Sequence, residues 1–180
     1  MKKLVVIVPA YNEEKTIRDT LVGLFSIKPD LNKLGYELKI YVINDGSTDK
    51  TEKLANEYEE VLVITNKKNK GLGAAVRTGL FSANNINADI VVKYDADLQH
   101  EPFDILALIK PIDNDESDIV YGNRFKKMNY KMPFIRKMGN KVFTSLMKWL
   151  TGWPLMDSQP GIFAVNNVFL SNFYLPGDYN

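Results

Sequence analysis

The sequence predicts an α/β fold, a mostly parallel sheet with helices on both faces. Short runs rich in Val, Ile and Tyr recur along the chain and are nearly continuous in apolar residues, as in strands buried on both sides. Between them lie segments with apolar residues at helical spacing, so strand and helix alternate. At 180 residues the chain is long enough for one domain, which buries roughly 70% of the surface its unfolded form exposes.

The first strand is "KLVVIV" (3–8). Its leading lysines imitate a secretory signal, but the run is short and meets Asn12, Glu13 and Glu14 without a small-residue cleavage pattern, so a buried strand explains it better. Ile17, Leu21, Leu24 and Phe25 then share one helical face. "LKIYVI" (38–43) is the second strand, and "STDKTEKLANEYE" (47–59) opens a helix with Ser and Thr cap candidates. "VLVIT" (61–65), "DIVVKY" (89–94) and "DIVYG" (118–122) supply three more strands, separated by the helical "GAAVRTGLFSAN" (73–84) and "PFDILALIK" (102–110). No internal repeat, low-complexity tract or linker divides residues 1–125.

The remainder differs. From Arg124 to Lys148 the charged residues are all basic, and within "FIRKMGNKVFTSLMKWL" (134–150) Phe134, Met138, Val142, Leu146 and Leu150 fall near one helical stripe. Such a helix either lies on an anionic membrane surface or docks on the core with its lysines solvated.

Composition narrows the function classes. Twenty-three Lys plus Arg against 22 Asp plus Glu leave a net charge of +1, which gives no argument for nucleic acid or another polyanion, and no nucleic-acid partner is expected. The absence of cysteine excludes disulfides, thiolate metal sites and a cysteine nucleophile, and fits a reducing, cytoplasmic setting. No run approaches the ~18 apolar residues of a membrane span, so a soluble chain is expected.

In open α/β sheets, ligands bind beyond the carboxyl ends of the strands. The five exits, "PAYNEE", "NDGSTD", "NKKNKG", "DADLQH" and "GNRF", are all polar and turn-forming, which favours a site at that edge, although helix caps account for some. In "DADLQH", Asp95, Asp97 and Gln99 offer hard oxygen donors of the kind that suit Mg²⁺ or Mn²⁺ completed by substrate phosphates. A solvated turn with a capping aspartate is the alternative. The spacing is not that of an EF-hand, and His100 has no histidine partner for zinc. Asp45 can accept hydrogen bonds from a base or ribose while Gly46 lets backbone approach a ligand, or the pair is simply a turn before a helix. Lys70, Gly71 and Gly73 open a helix as an anion site, with Arg77 further in; Val76 rules out a dinucleotide fingerprint, and no Walker loop is present.

Together these pieces resemble the family-2 glycosyltransferases. "VIVPAYNEEKTI" is similar to that family's opening strand and loop, "VINDGSTDKT" to its second motif, "NKGLGAAVRTGL" to its third and "YDADLQHEP" to its metal motif, over about residues 4–165. With "YGNRF" and "DSQPGIFAV", the resemblance is closest to the dolichyl-phosphate mannose and glucose synthases and related polyprenyl-phosphate enzymes. It implies a GT-A (Rossmann-like) fold and an inverting, metal-dependent transfer of a hexose from UDP-glucose or GDP-mannose to a polyprenyl or dolichyl phosphate.

The residues implied are Pro9, Tyr11, Glu13, Asp45, Lys70, Asp95, Ala96 and Asp97 for the nucleotide-sugar, and Asp95, Asp97 and Gln99 for Mg²⁺ or Mn²⁺. Arg124 and Arg136 match positions for the acceptor phosphate, and Asp97 and Arg124 are the expected catalytic pair. Residues 1–125 then form the nucleotide-sugar-binding core and 126–180 an acceptor- and membrane-facing segment of the same domain, at the cytoplasmic face of the membrane. A phosphomonoester, with a second pKa of roughly 6, needs no general base, and none is evident.

Two departures stand out. Phe163 occupies a place where the family usually has Arg or Lys, and the chain stops at Asn180 where the family normally continues, so a truncated or a minimal form is expected. Rival readings are a family-2 enzyme extending a surface polysaccharide and a non-catalytic nucleotide-sugar-binding module. Haloacid-dehalogenase-like phosphohydrolases also use Asp-x-Asp, but on the first strand with Thr or Val after it, whereas here Leu98 follows on the fourth.

Overall fold

The computed structural model describes residues 1–122 and 161–172. In chain order the elements are β1 (Lys2–Ala10), α1 (Ile17–Ser26), α2 (Lys28–Lys33), β2 (Tyr36–Asn44), α3 (Thr51–Ala55), β3 (Val61–Thr65), α4 (Leu72–Asn85), β4 (Ile90–Tyr94), α5 (Asp104–Asp113), β5 (Ile119–Tyr121), β6 (Ile162–Asn166) and α6 (Asn167–Asn172). The strands form one sheet in the order β3-β2-β1-β4-β6-β5. β3, β2, β1 and β4 run parallel, whereas β6 pairs antiparallel with both β4 and β5.

Each run of apolar residues becomes a strand because side chains alternate between the two faces of a sheet and both faces here are covered. Leu4, Val6 and Val8 of β1 pack with Ile17, Leu21 and Leu24 of α1, Leu31 of α2, Ala55 of α3 and Ile105, Leu108 and Ile109 of α5. Val5 and Ile7 face the other way, onto Ala75, Leu80 and Ala83 of α4 and Leu170 of α6. Gly79 lets α4 approach closely, since a Cβ there would lie 2.9 Å from Ile7 Cγ2. Helices on both faces of a mostly parallel sheet are what the sequence predicts.

Three features are not. α2 and α6 are short helices that the apolar periodicity did not announce. β6 enters the sheet antiparallel between β4 and β5, although "GIFAV" (161–165) is too short a run to declare direction or neighbours. Of the stretch after residue 125, β6 joins the core sheet and Leu170 of α6 packs with its apolar residues. The 47–59 segment is helical only over Thr51–Ala55, because residues 45–50 are used in loop contacts. The basic amphipathic segment 134–150, with Arg124 and Arg136, lies outside the described residues.

Candidate active site

The strand order creates the site before any side chain is considered. From β1 the chain builds outward through β2 and β3, then crosses to the other side of β1 to form β4. Such a reversal leaves a crevice at the carboxyl ends of the two diverging strands. Here those ends are Pro9–Tyr11 and Asp95–Asp97. The β1–β2 ladder runs to Ala10 and Asn44, whereas the β1–β4 ladder ends at Ile7 and Lys93. The Ala10 carbonyl accepts from Asp45 N–H (2.9 Å), so Ala10 faces β2. Backbone groups alternate between the two edges of a strand, so Pro9 presents its carbonyl to the β4 side, past the last ladder pair. A proline is tolerated there in a central strand because no partner needs its missing N–H. Tyr11 follows at the rim, 45% exposed.

The β1 and β2 exits are joined by reciprocal hydrogen bonds. Asn12, held at φ +57°, donates its N–H to Ser47 Oγ (3.0 Å) and accepts from Thr48 N–H at Oδ1 (2.9 Å). Glu13 N–H donates to Thr51 Oγ1 (2.8 Å), and Glu14 N–H to Asp49 Oδ2 (3.0 Å). Burial acts to raise the Asp49 carboxyl pKa, but hydrogen bonds from Thr51 and from the Glu14 backbone outweigh it and hold the group below its ordinary value. The Glu13 carboxylate accepts from Thr16 Oγ1 (2.6 Å) at the start of α1. Glu13, expected at the nucleoside, thus also braces the first turn of that helix.

Asp45 is 3% exposed, and its carboxylate gathers the loop between β3 and α4. Oδ1 accepts from Asn66 Nδ2 (2.8 Å) and Lys70 N–H (3.1 Å), and Oδ2 from Lys70 N–H (3.1 Å) and Gly71 N–H (2.7 Å). The loop comes so close that a Cβ on Gly46 would lie 2.6 Å from the Lys68 carbonyl carbon, at a backbone φ of +70°. Of the two readings of Asp45-Gly46, ligand approach or a turn before a helix, the described contacts show a turn against which the neighbouring loop packs. A Gly46→Ala substitution is therefore expected to lower stability by about 2 kcal/mol or more, from the clash and the left-handed φ together, measured as a shift in denaturant midpoint. The side chains of Lys67, Lys68 and Lys70 remain exposed on this loop, and Lys70 thus stands beside the start of α4 as expected.

β4 carries the acidic motif. Asp95 is half-buried, Ala96 buried, and Asp97, Leu98 and Gln99 exposed. Asp97 Oδ1 accepts from Gln99 N–H (3.1 Å), a turn that places Leu98 at φ +60°. Thr20, buried on the apolar face of α1, donates its hydroxyl to the Ala96 carbonyl (3.1 Å) and so fixes the turn to the core. Thr20→Val, similar in shape but unable to donate, leaves that buried carbonyl unsatisfied. An expected loss of about 1–2 kcal/mol would appear in chemical denaturation. Tyr94 hydrogen-bonds the His100 carbonyl and packs edge-on against its ring, 6.3 Å between centroids. Burial first, then the charges of Glu101, Asp104, Asp97 and Asp95, push the Tyr94 hydroxyl pKa well above its ordinary value. His100, set aside on the sequence, contacts Tyr94 here and has no ligand role assigned.

The sequence reading missed Lys93. It is 3% exposed, pairs with Asp95 Oδ1, and donates to the Gly161 carbonyl (2.9 Å) at the start of β6. A lysine inside the otherwise apolar "DIVVKY" was the signal available. Phe163, the departure noted above, is its register partner in β6. Thr20 also had a trace, a hydroxyl on the stripe of Ile17, Leu21 and Leu24.

Among the described residues, no group of three or more His, Cys, Asp or Glu side chains is placed to hold a metal. The donors at the crevice, two carboxylates and an amide oxygen, nevertheless fit a hard divalent cation whose remaining ligands are diphosphate oxygens. Among the described residues, no helix is long and apolar enough to cross a membrane.

Sheet order, crevice and acidic rim define a GT-A-type α/β domain. Solved structures with that fold include glucosyl-3-phosphoglycerate synthase from Mycobacterium tuberculosis in complex with UDP (TM-score 0.69, 22% identity, 93% of this chain and 58% of that one). A mannosyltransferase from Pyrobaculum calidifontis in complex with GDP-Man and Mn²⁺ also shares it (TM-score 0.61, 22% identity, 93% and 45% covered). The glycosyl transferase family 2 model matches residues 5–171, and the chain belongs to that family. Among its relatives is the UDP-N-acetylglucosamine–dolichyl-phosphate N-acetylglucosaminyltransferase of Methanococcus voltae, 37% identical over 91% of this chain and 69% of that protein. Another is the dolichol-phosphate mannosyltransferase of Pyrococcus furiosus, 42% identical over 77% of this chain and 38% of that protein. The chain thus spans between about two fifths and two thirds of these relatives' length.

Proposed function

We propose that this chain carries the donor site of an inverting, divalent-metal-dependent glycosyltransferase that moves one sugar from a nucleotide-sugar to a polyprenyl or dolichyl phosphate. The observation that carries the reading is the crevice between β1 and β4, with Pro9 and Tyr11 on one side and the Asp95–Asp97 turn on the other. Relatives named for dolichyl-phosphate transfer, at 37% and 42% identity, support the acceptor class.

In this reading the Pro9 carbonyl and Tyr11 ring bound the nucleoside, and Asp45 holds the 66–71 loop so that Lys70 stands near the donor. Asp97, with Asp95 and Gln99, would hold Mg²⁺ or Mn²⁺, whose Lewis acidity stabilises charge on the departing diphosphate. Arg124 and Arg136 are proposed to orient the acceptor phosphate, each as a fixed positive charge. A phosphate oxygen forms the new bond to the anomeric carbon from the face opposite the diphosphate. The anomeric carbon–oxygen bond breaks, its electron pair leaves on the nucleoside diphosphate, and the configuration inverts. The acceptor is largely dianionic at neutral pH, so no residue has to remove a proton. Such an acceptor confines the reaction to the bilayer surface; the basic segment 134–150 is the proposed contact, with the soluble part on the cytoplasmic side.

The test is a screen of UDP- and GDP-sugars with dolichyl and undecaprenyl phosphate, with Mn²⁺, Mg²⁺ or EDTA. A glycosyl-phospholipid formed with one donor and lost in EDTA is expected. Transfer to sugar hydroxyls with no transfer to the lipid phosphate would overturn the acceptor assignment.

A further inference from the structure

Among the described residues, Lys93 is the only buried lysine or arginine. It lies on the α4-facing side of β4, on the same face as Val91 and beside Ile7 of β1 and Phe163 of β6. An ammonium withdrawn from water persists only when paired and hydrogen-bonded, and a methionine or leucine would fill the same layer without that cost. Its partners explain why a cation stands there. One is Asp95, just past the end of β4 and one of the two carboxylates of the acidic turn, and another is the backbone carbonyl of Gly161, 68 residues away at the start of β6. One buried charge therefore ties the turn at the end of β4 to the point where the chain re-enters the sheet.

We propose that Lys93 is a positioning residue of the donor site, holding the Asp95 carboxylate against the Gly161 carbonyl and offsetting one of the two carboxylate charges at the crevice. The inference rests on the donor-site reading above. It has a distinctive consequence. With Asp95 partly neutralised, the rim is a poor site for a lone divalent cation and a good one for a cation arriving with a nucleoside diphosphate, because the diphosphate supplies the missing negative ligands. Removing the ammonium reverses this: the carboxylates lose that buried positive charge and attract the bare cation more strongly, while the added negative charge and the loss of the tie to Gly161 disfavour the diphosphate complex.

The experiment is equilibrium binding without turnover, reading Mn²⁺ by electron paramagnetic resonance alone and then with UDP or GDP, on wild type, Lys93→Met, Asp95→Asn and the double variant. Lys93→Met is expected to bind Mn²⁺ alone at least threefold more tightly and Mn²⁺ with the nucleotide about tenfold more weakly. Both shifts should vanish in the Asp95→Asn background. Unchanged affinities, two shifts of the same sign, or shifts that persist without the Asp95 carboxylate would overturn the proposal. If Lys93→Met does not fold by circular dichroism, Lys93→Gln is measured in its place; failure of both to fold marks Lys93 as purely structural and overturns the proposal too. Absence of nucleotide binding by the wild type, by contrast, defeats the donor-site reading itself and this inference with it.

Discussion

Asp97→Ala is expected to lower transfer by about a thousandfold, equivalent to about 4 kcal/mol of transition-state stabilisation. Two structural facts make this large effect separable from a folding defect. Asp97 is exposed, and among the described residues its carboxylate accepts only a local hydrogen bond, from Gln99 N–H two residues on. Surface changes of that kind usually move stability by no more than about 0.5 kcal/mol. The loss should therefore appear in kcat/KM for the glycosyl-phospholipid product while the melting temperature stays within a degree or two. An unchanged rate would remove Asp97, and with it the divalent cation, from the proposed chemistry.

Asp45→Ala should do the reverse and damage the framework first. The carboxylate is buried and accepts from Asn66, Lys70 and Gly71. Truncation strands those donors in the narrow space that Gly46 keeps open for the loop. These donors are partly buried, and an unsatisfied donor costs about 1–3 kcal/mol where water cannot reach it, so a total loss of about 2 kcal/mol is expected. Hydrogen exchange should show the 66–71 amides losing protection. Donor affinity should fall with them, because Lys70 is held in place only through that loop. Asp45→Asn is the informative companion: it keeps one accepting oxygen and should retain roughly half of the stability. If Asp45→Ala weakened donor binding with no change in loop exchange, Asp45 would be touching the donor directly instead.

Much of the fold and part of the site were legible in the residues. The runs 3–8, 38–43, 61–65, 89–94 and 118–122 each correspond to a strand, because continuous apolar runs of that length are stable only when both faces are covered. The exits followed from chain order, since in a parallel sheet the ends of the strands converge on one edge. That put Pro9, Tyr11, Asp95 and Asp97 at one edge of the sheet, and the strand order set the β1 and β4 exits side by side. The pairing of side chains across that edge was a different matter. Glu13, expected at the nucleoside, is also bonded to Thr16, and Gly46 packs against the 66–71 loop.

The sequence by itself determined that this is an α/β chain of glycosyl transferase family 2, with two aspartates at the end of its fourth strand. Periodicity, turn chemistry and motif spacing are local properties, written within ten or fifteen residues of one another. Only the tertiary structure decided that β6 runs antiparallel between β4 and β5, that Asp45 closes on residues 66–71, and that Lys93 joins Asp95 to Gly161. Those contacts depend on register between strands distant in the chain, and register is chosen by the packing of the whole core, where a shift of one residue would turn every side chain to the opposite face.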